Sequence, residues 1–166
     1  MSAPVQASME AVRKDLIGTV HLSAWRTVGQ RAINEFASST EDPDPMHVDP
    51  DWTRSHTPYP NTVAQGFWAA SMLVKAAHET GLARTATSLF PAAYGLNYGF
   101  DRLRFVRPLL VGASYRCRLV PTSYEMRSDT SAMLEVDARV EVRDQRVPAL
   151  TGNWLLLFVL DEEAGN

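Results

Sequence analysis

The segment Leu134–Arg143 constrains the fold more than any other part of the chain, because apolar and charged residues alternate along its whole length. A period of two predicts a strand with one buried and one solvated face, as in an antiparallel sheet that is covered on one side. Turn-forming residues between the strands favour antiparallel connections. Three further strands are predicted from β-prone runs: Asn97–Phe105, Ser114–Val120 and Trp154–Leu160.

A long helix is predicted at Val63–Glu79, where apolar side chains cover nearly the whole circumference. Such a helix is buried on most sides, and Gly81 supplies a stop signal. One long buried helix followed by a meander of strands predicts an α+β fold in which the sheet wraps around the helix. A chain of 166 residues has room for one such domain. We expect the domain at 9–162 and flexible termini at 1–8 and 163–166.

Two shorter features precede the long helix. Thr27 and Gln30 have the spacing of a capping box and predict the start of a helix that ends near Ser39. The proline-rich segment Thr40–Pro50 is predicted to be a constrained loop without helix. This loop carries the residues of greatest chemical interest.

Composition excludes several classes of function. With 16 basic and 19 acidic residues, the chain lacks the positive field of nucleic-acid-binding proteins. Cys117 is the only cysteine, so we expect neither a disulfide nor a metal site, and we expect this mid-strand thiol to be inert. The apolar run Trp154–Leu160 is too short to span a membrane, and residues 1–16 lack the apolar core of a secretory signal. We therefore expect a cytoplasmic protein.

Asp42 and His47 form the most informative pair in the proline-rich segment. The prolines hold the two side chains near each other, and a carboxylate beside an imidazole can share one proton near neutral pH. That sharing is what acid/base chemistry on a water molecule requires. On spacing alone, turn formation and helix capping are the commoner roles of Asp42 and Asp44.

Gly66 lies in the first turn of the predicted long helix. Backbone N–H groups there have no intrahelical acceptor, and the helix dipole favours negative charge. A glycine lets a carbonyl oxygen approach without meeting a Cβ atom, as in an oxyanion hole. Together with the acid/base pair, this donor suits chemistry next to a thioester. Packing against a strand is the alternative role of this glycine.

Arginines on and beside the predicted strands are candidates for contacts with ligand phosphates. On the wet face of a sheet, arginines are more often simply solvated. The candidates are Arg102, Arg104, Arg107, Arg116 and Arg118.

Two motifs resemble the signature of the MaoC-like, (R)-specific enoyl-CoA hydratases. The run 36–49 contains Glu-Asp-Pro-Asp-Pro-Met-His, where the family has Gly-Asp-x-Asn-Pro-Ile-His, and Ala64-Gln65-Gly66 matches its Ala-His-Gly. Two further stretches, 96–108 and 147–155, are similar to the nodulation-protein-N-like branch of the family. The similarity covers nearly all of Leu16–Leu160.

The resemblance implies a hotdog fold, in which an antiparallel sheet wraps a central helix, and usually a homodimer. It also implies reversible addition of water to a trans-2-enoyl-CoA, giving the (R)-3-hydroxyacyl-CoA. No cofactor is expected beyond the coenzyme A or acyl carrier of the substrate. Asp42 and His47 would hold and activate the water, and the Gly66 amide would polarise the thioester carbonyl. Further substrate contacts are expected from Asp44, Gln65, Phe67, Arg104 and Arg107.

Three departures from the signature leave alternatives open. Glu41 stands where the family has glycine, Asp44 where it has asparagine, and Gln65 where it has histidine. One alternative is a thioesterase of the same fold, which would release a free thiol. The other is a non-catalytic acyl-binding or partner subunit, which would bind a ligand without turning it over.

Overall fold

One antiparallel sheet and a central helix dominate the computed structural model, which describes residue 10, residues 14–89 and residues 92–160. The predicted flexible termini, and both ends of the predicted 9–162 domain, lie outside the described residues. The α+β class and the sheet around a long helix are confirmed. Among the described residues, no helix has the length and apolar character needed to cross a membrane.

The sheet of the described chain has six strands. The strands are β1 (His21–Leu22), β2 (Arg26–Thr27), β3 (Ala92–Phe105), β4 (Ser114–Ser128), β5 (Ser131–Val142) and β6 (Leu150–Leu160). Their order is β1, β4, β5, β6, β3, and β2 also pairs with β4; every pairing is antiparallel. The alternation that predicts β5 is confirmed, because Leu134, Val136, Ala138 and Val140 are fully buried.

The predicted meander is wrong at its first connection, because β3 does not pair with β4. β3 lies at the edge of the sheet farthest from β1 and is hydrogen-bonded to β6. The segment between β3 and β4 finds its backbone partners elsewhere: Leu109 accepts from Ala64, and Val111 donates to Thr62. It therefore crosses the sheet past β5 and β6 to reach β4 instead of forming a hairpin.

Five helices lie wholly within the described part of the chain. They are α1 (Gln30–Thr40), α2 (Pro45–Val48), α3 (Pro50–His56), α4 (Gly66–Glu79) and α5 (Leu82–Leu89). The helix α4 is the central one, and its buried residues pack among the inward side chains of the sheet. It begins later than predicted, because Val63 is in extended pairing with Leu110. One face is also less buried than predicted, since Phe67 is 70% exposed.

Two local predictions are corrected near α1 and α2. Gly29, not Thr27, is the N-cap residue of α1, and no side chain caps that end. The segment Thr40–Pro50 is not free of helix, because Pro45 opens the single turn of α2. Proline is tolerated at the first helical position, where its missing N–H has no intrahelical partner.

Candidate active site

The position of Asp42 is set by the end of α1. Glu41 adopts the left-handed conformation, with φ 54° and ψ 37°. The backbone N–H groups of Glu41 and Asp42 both donate to the carbonyl of Ala37. This turn stops the helix and directs the chain towards α2. Glycine adopts this left-handed conformation most readily. This preference accounts for the glycine that the family signature has where this chain has Glu41.

His47 is carried by α2. Asp44 is the N-cap residue of this helix, and its Oδ1 accepts a 2.8 Å hydrogen bond from the Met46 N–H. That contact is the capping role, and an asparagine would perform it equally well. Asp49 then caps α3 by accepting from the N–H groups of Asp51 and Trp52. The short helix α2 is therefore held at both ends.

The imidazole of His47 has one anchored nitrogen and one free nitrogen. Nδ1 lies 2.6 Å from the carbonyl oxygen of Val63. A carbonyl can only accept, so Nδ1 carries a proton and, in the neutral ring, Nε2 presents its lone pair. Nε2 lies 3.9 Å from Oδ2 of Asp42. The His47 side chain is 12% exposed, whereas that of Asp42 is 48% exposed.

The separation of His47 and Asp42 has a chemical consequence. A distance of 3.9 Å between Nε2 and Oδ2 is too long for a direct hydrogen bond. It is short enough for one water molecule to donate a hydrogen bond to both atoms. The structure thus brings the two predicted site residues to a separation that one bridging water molecule can span.

A cavity of about 300 Å³ opens beside His47. Its lining includes His47, Val63, Gly66, Phe105 and Arg107. Asp42 is not part of the lining. The cavity therefore lies between α2, the beginning of α4 and the end of β3.

Gly66 is the first residue of α4, as the sequence predicts for the first turn. Its N-cap, Gln65, makes no side-chain cap, and no acceptor for the Gly66 N–H lies among the described residues. This amide is available at the cavity, at the positive end of the helix dipole. The glycine also packs against β3, since a Cβ atom would lie 2.8 Å from the ring of Phe105.

Gln65 and Phe67 do not line the cavity. The Gln65 side chain is buried towards α1, where Nε2 lies 3.5 Å from the carbonyl oxygen of Ile33. Its Oε1 has no hydrogen-bond partner among the described residues. Phe67 is largely exposed and contacts Phe105 edge to face, with ring centroids 5.6 Å apart.

Of the five candidate arginines, only Arg107 lines the cavity. Its Nη1 donates to Oε1 of Gln145 at 2.6 Å. Arg104 is exposed and donates to the neighbouring carbonyl of Leu103. Arg116 and Arg118 are ion-paired on the outer face of the sheet, with Glu141 at 2.8 Å and Asp137 at 3.5 Å, respectively.

The remaining groups of chemical interest are the single thiol and the possible metal ligands. Burial raises the pKa of the Cys117 thiol to about 12, so thiolate is scarce at neutral pH, which agrees with the expectation of an inert thiol. No cluster of His, Cys, Asp and Glu suited to a metal ion occurs in the described residues. The role of Val63 was not predicted, because nothing in the sequence marks which backbone carbonyl will accept a hydrogen bond from the His47 ring.

Comparison with known proteins identifies the family. Residues 13–145 match the MaoC-like domain. The chain belongs to the MaoC-like domain family. Nodulation protein N of Rhizobium leguminosarum bv. viciae is 33% identical over 139 residues, which cover 84% of this chain and 83% of that protein. The 3-hydroxyacyl-thioester dehydratase Z of Mycobacterium tuberculosis is 27% identical over 137 residues, which cover 82% and 86% of the two chains.

Comparison with a solved structure supports the fold. The (R)-hydratase PhaJ1 from Pseudomonas aeruginosa, in the unliganded form, superposes with a TM-score of 0.66 at 16% identity. The match covers 87% of this chain and 83% of the hydratase. The expected hotdog fold of this MaoC-like domain is confirmed.

Proposed function

We propose that this protein is an (R)-specific enoyl-CoA hydratase, which adds water reversibly to a trans-2-enoyl thioester. The pair His47 and Asp42 carries the proposal, because their acceptor atoms are 3.9 Å apart beside a cavity. Two acceptors at this separation suit one water molecule held by both. Dehydration is the same reaction in reverse, and the dehydratase among the relatives supports that chemistry.

Each acceptor has a part in the addition. Nε2 of neutral His47 accepts one hydrogen of the water, and the Asp42 carboxylate accepts the other. The water oxygen bonds to C3 of the enoyl group as one of its O–H bonds breaks. The accepting group then returns that proton to C2 on the same face, which completes a syn addition. Atoms and electrons balance without a redox cofactor, so coenzyme A enters only as part of the substrate.

The beginning of α4 supplies a hydrogen-bond donor for the thioester oxygen, which the reaction also requires. Negative charge moves onto the thioester oxygen as the new C3–O bond forms. The free N–H of Gly66 borders the same cavity as His47. A donor fixed there stabilises the charge as it develops. Arg107 borders the cavity as well and is the candidate contact for a phosphate of coenzyme A or of an acyl carrier.

The working form in this proposal is a homodimer. β3 is the last strand of the sheet, and its outer edge has no partner in the described chain. Apolar side chains along it are exposed, including Tyr94, Leu96 and Tyr98. An uncovered edge of this kind favours pairing. A second copy can pair antiparallel with the same strand across a twofold axis.

Incubation with crotonyl-CoA tests the proposal. We expect the thioester to remain intact and to gain the mass of one water molecule, with the (R) configuration on chiral analysis. Release of a free thiol would indicate the thioesterase instead. Binding without either product would indicate a non-catalytic subunit. Folded Asp42→Asn protein is the matched control, because it keeps the shape of the side chain and removes its charge.

A further inference from the structure

The side chain of Gln30 lies at the centre of a hydrogen-bond network beneath the active-site pair. Its Nε2 donates to the backbone carbonyl of His47 at 2.8 Å and to Oδ1 of Asn34 at 2.8 Å. Its Oε1 accepts from the hydroxyl of Thr62. Because the His47 carbonyl can only accept, the orientation of the amide is determined. Every polar group of this side chain is therefore in use.

This network connects both supports of the His47 ring. One support is the backbone of His47, which Gln30 holds directly. The other is the carbonyl of Val63, which receives the Nδ1 proton and directly follows Thr62. Thr62 is fully buried, and the Val63 N–H donates to the carbonyl of Met46 at 3.0 Å. One amide thus links the residue that carries the imidazole to the segment that orients it.

We propose that Gln30 is a positioning residue for His47. It keeps α2 and the extended segment at Val63 in register, so that Nδ1 stays protonated on the carbonyl and Nε2 stays directed at Asp42. The inference rests on the proposed function, in which Nε2 accepts a hydrogen of the reacting water. It gives a role to a residue whose spacing suggested only a helix cap.

The network predicts what its loss would do. Without the amide, the carbonyl of His47 and the hydroxyl of Thr62 lose partners in a partly buried site, and both supports can shift. The imidazole then exchanges between tautomers, because the bond from Nδ1 to Val63 no longer selects one of them. Misplacement by about 1 Å costs on the order of 100-fold in rate. The structure of the cavity that binds the thioester is otherwise retained.

Three variants separate positioning from simple stabilisation. Gln30→Met keeps the length of the side chain and removes all three hydrogen bonds, whereas Thr62→Val removes only the bond to the buried segment. Asn34→Ala removes the exposed third bond and is the matched control. We expect kcat for crotonyl-CoA hydration to fall by about 10- to 100-fold in Gln30→Met and less in Thr62→Val. KM should stay within about twofold in both, and Asn34→Ala should match the wild type.

Nitrogen-15 NMR of the histidine rings provides a readout that needs no substrate. The signals of His47 are assigned by their loss in His47→Gln. In the neutral ring, the wild type and Asn34→Ala should show a protonated Nδ1 and an unprotonated Nε2, and Gln30→Met should show a mixture of tautomers. An unchanged tautomer in both Gln30→Met and Thr62→Val overturns the inference. So does a normal kcat in Gln30→Met when His47→Gln is inactive.

The same data distinguish failure of the proposed function. If His47→Gln still hydrates crotonyl-CoA, the proposed function is wrong and the catalytic part of the inference falls with it. The tautomer of His47 in Gln30→Met then still decides whether Gln30 positions the ring. If Gln30→Met does not fold, the kinetic and NMR measurements on Thr62→Val decide the inference.

Discussion

The ring of Phe105 lies against Gly66 so closely that a Cβ atom on the glycine would be 2.8 Å from three of its ring carbons. The beginning of α4 is therefore in contact with the end of β3, and the contact borders the cavity that His47 lines. Packing alone explains why residue 66 has no side chain. The proposed function needs something more from this residue, which is its N–H.

Proline at position 66 separates the two roles of the glycine. It is tolerated as the first residue of a helix, and Gln65, with ψ 140°, has the extended backbone that precedes proline. Gly66→Pro removes the N–H, whereas Gly66→Ala adds a comparable Cβ atom and retains it. We expect kcat in Gly66→Pro to be about 100- to 1000-fold below that of Gly66→Ala, as for the loss of one oxyanion donor. Equal rates in the two folded variants would leave packing as the only role.

Arg107 is predicted to bind the carrier end of the substrate. Arg107→Gln should raise KM for crotonyl-CoA by about tenfold and leave kcat nearly unchanged, because a charge-assisted hydrogen bond to a phosphate is lost. Arg104→Gln is the matched control, since Arg104 is exposed outside the cavity and should leave KM within about twofold. Steady-state kinetics of the two variants measure the difference. A rise of KM in Arg104→Gln but not in Arg107→Gln would indicate that Arg104, and not Arg107, binds the carrier.

Local patterns predicted the features that depend on neighbouring residues. The alternation along β5, the long helix and the closeness of Asp42 and His47 all follow from short-range spacing. The placement of β3 does not, because it depends on a segment that crosses the sheet and bonds to Thr62 and Ala64.

Contacts between distant residues account for the other misses. Gln30 binds residues 17 and 32 positions away, and no local motif encodes such contacts. The capping-box spacing of Gln30 therefore gave the wrong role. The sequence offered packing against a strand as one role of Gly66, but it did not identify Phe105 as the residue in contact. Exposed Phe67 lies on a face of α4 that the isolated chain leaves uncovered.

A homodimer through β3 is predicted from the unpaired edge of that strand. Light scattering at micromolar concentration should give twice the 18.4 kDa mass of one chain. Tyr98→Lys places a charge on the edge and should shift the mass towards the monomer. Val147→Lys is the matched control, because Val147 is similarly exposed on the turn before β6. A monomeric wild type, or equal effects of the two lysines, would contradict the interface.

Glu41→Gly is predicted to stabilise the protein. Glu41 holds the left-handed conformation at the end of α1, which costs a residue with a Cβ atom about 1–2 kcal/mol. The greater freedom of glycine in the unfolded chain offsets part of this gain, so we expect the free energy of unfolding to rise by about 0.5–1 kcal/mol. Denaturant unfolding measures this change in free energy, and the m-value should stay unchanged. Glu41→Ala keeps the strain and removes the charge; equal stabilisation by alanine would assign the effect to charge instead.

Asp42→Asn and His47→Gln test the acid/base pair directly. Each substitution replaces a basic group that can take a proton with a neutral amide of similar shape, so kcat should fall by about 100- to 10,000-fold while the protein stays folded. Because both groups hold one water molecule, the double variant should be little slower than either single variant. Asp44→Asn is the matched control, since asparagine can also cap α2, and it should remain active. Near wild-type hydration by folded Asp42→Asn, or losses that simply multiply in the double variant, would show that the two side chains do not act on a shared water.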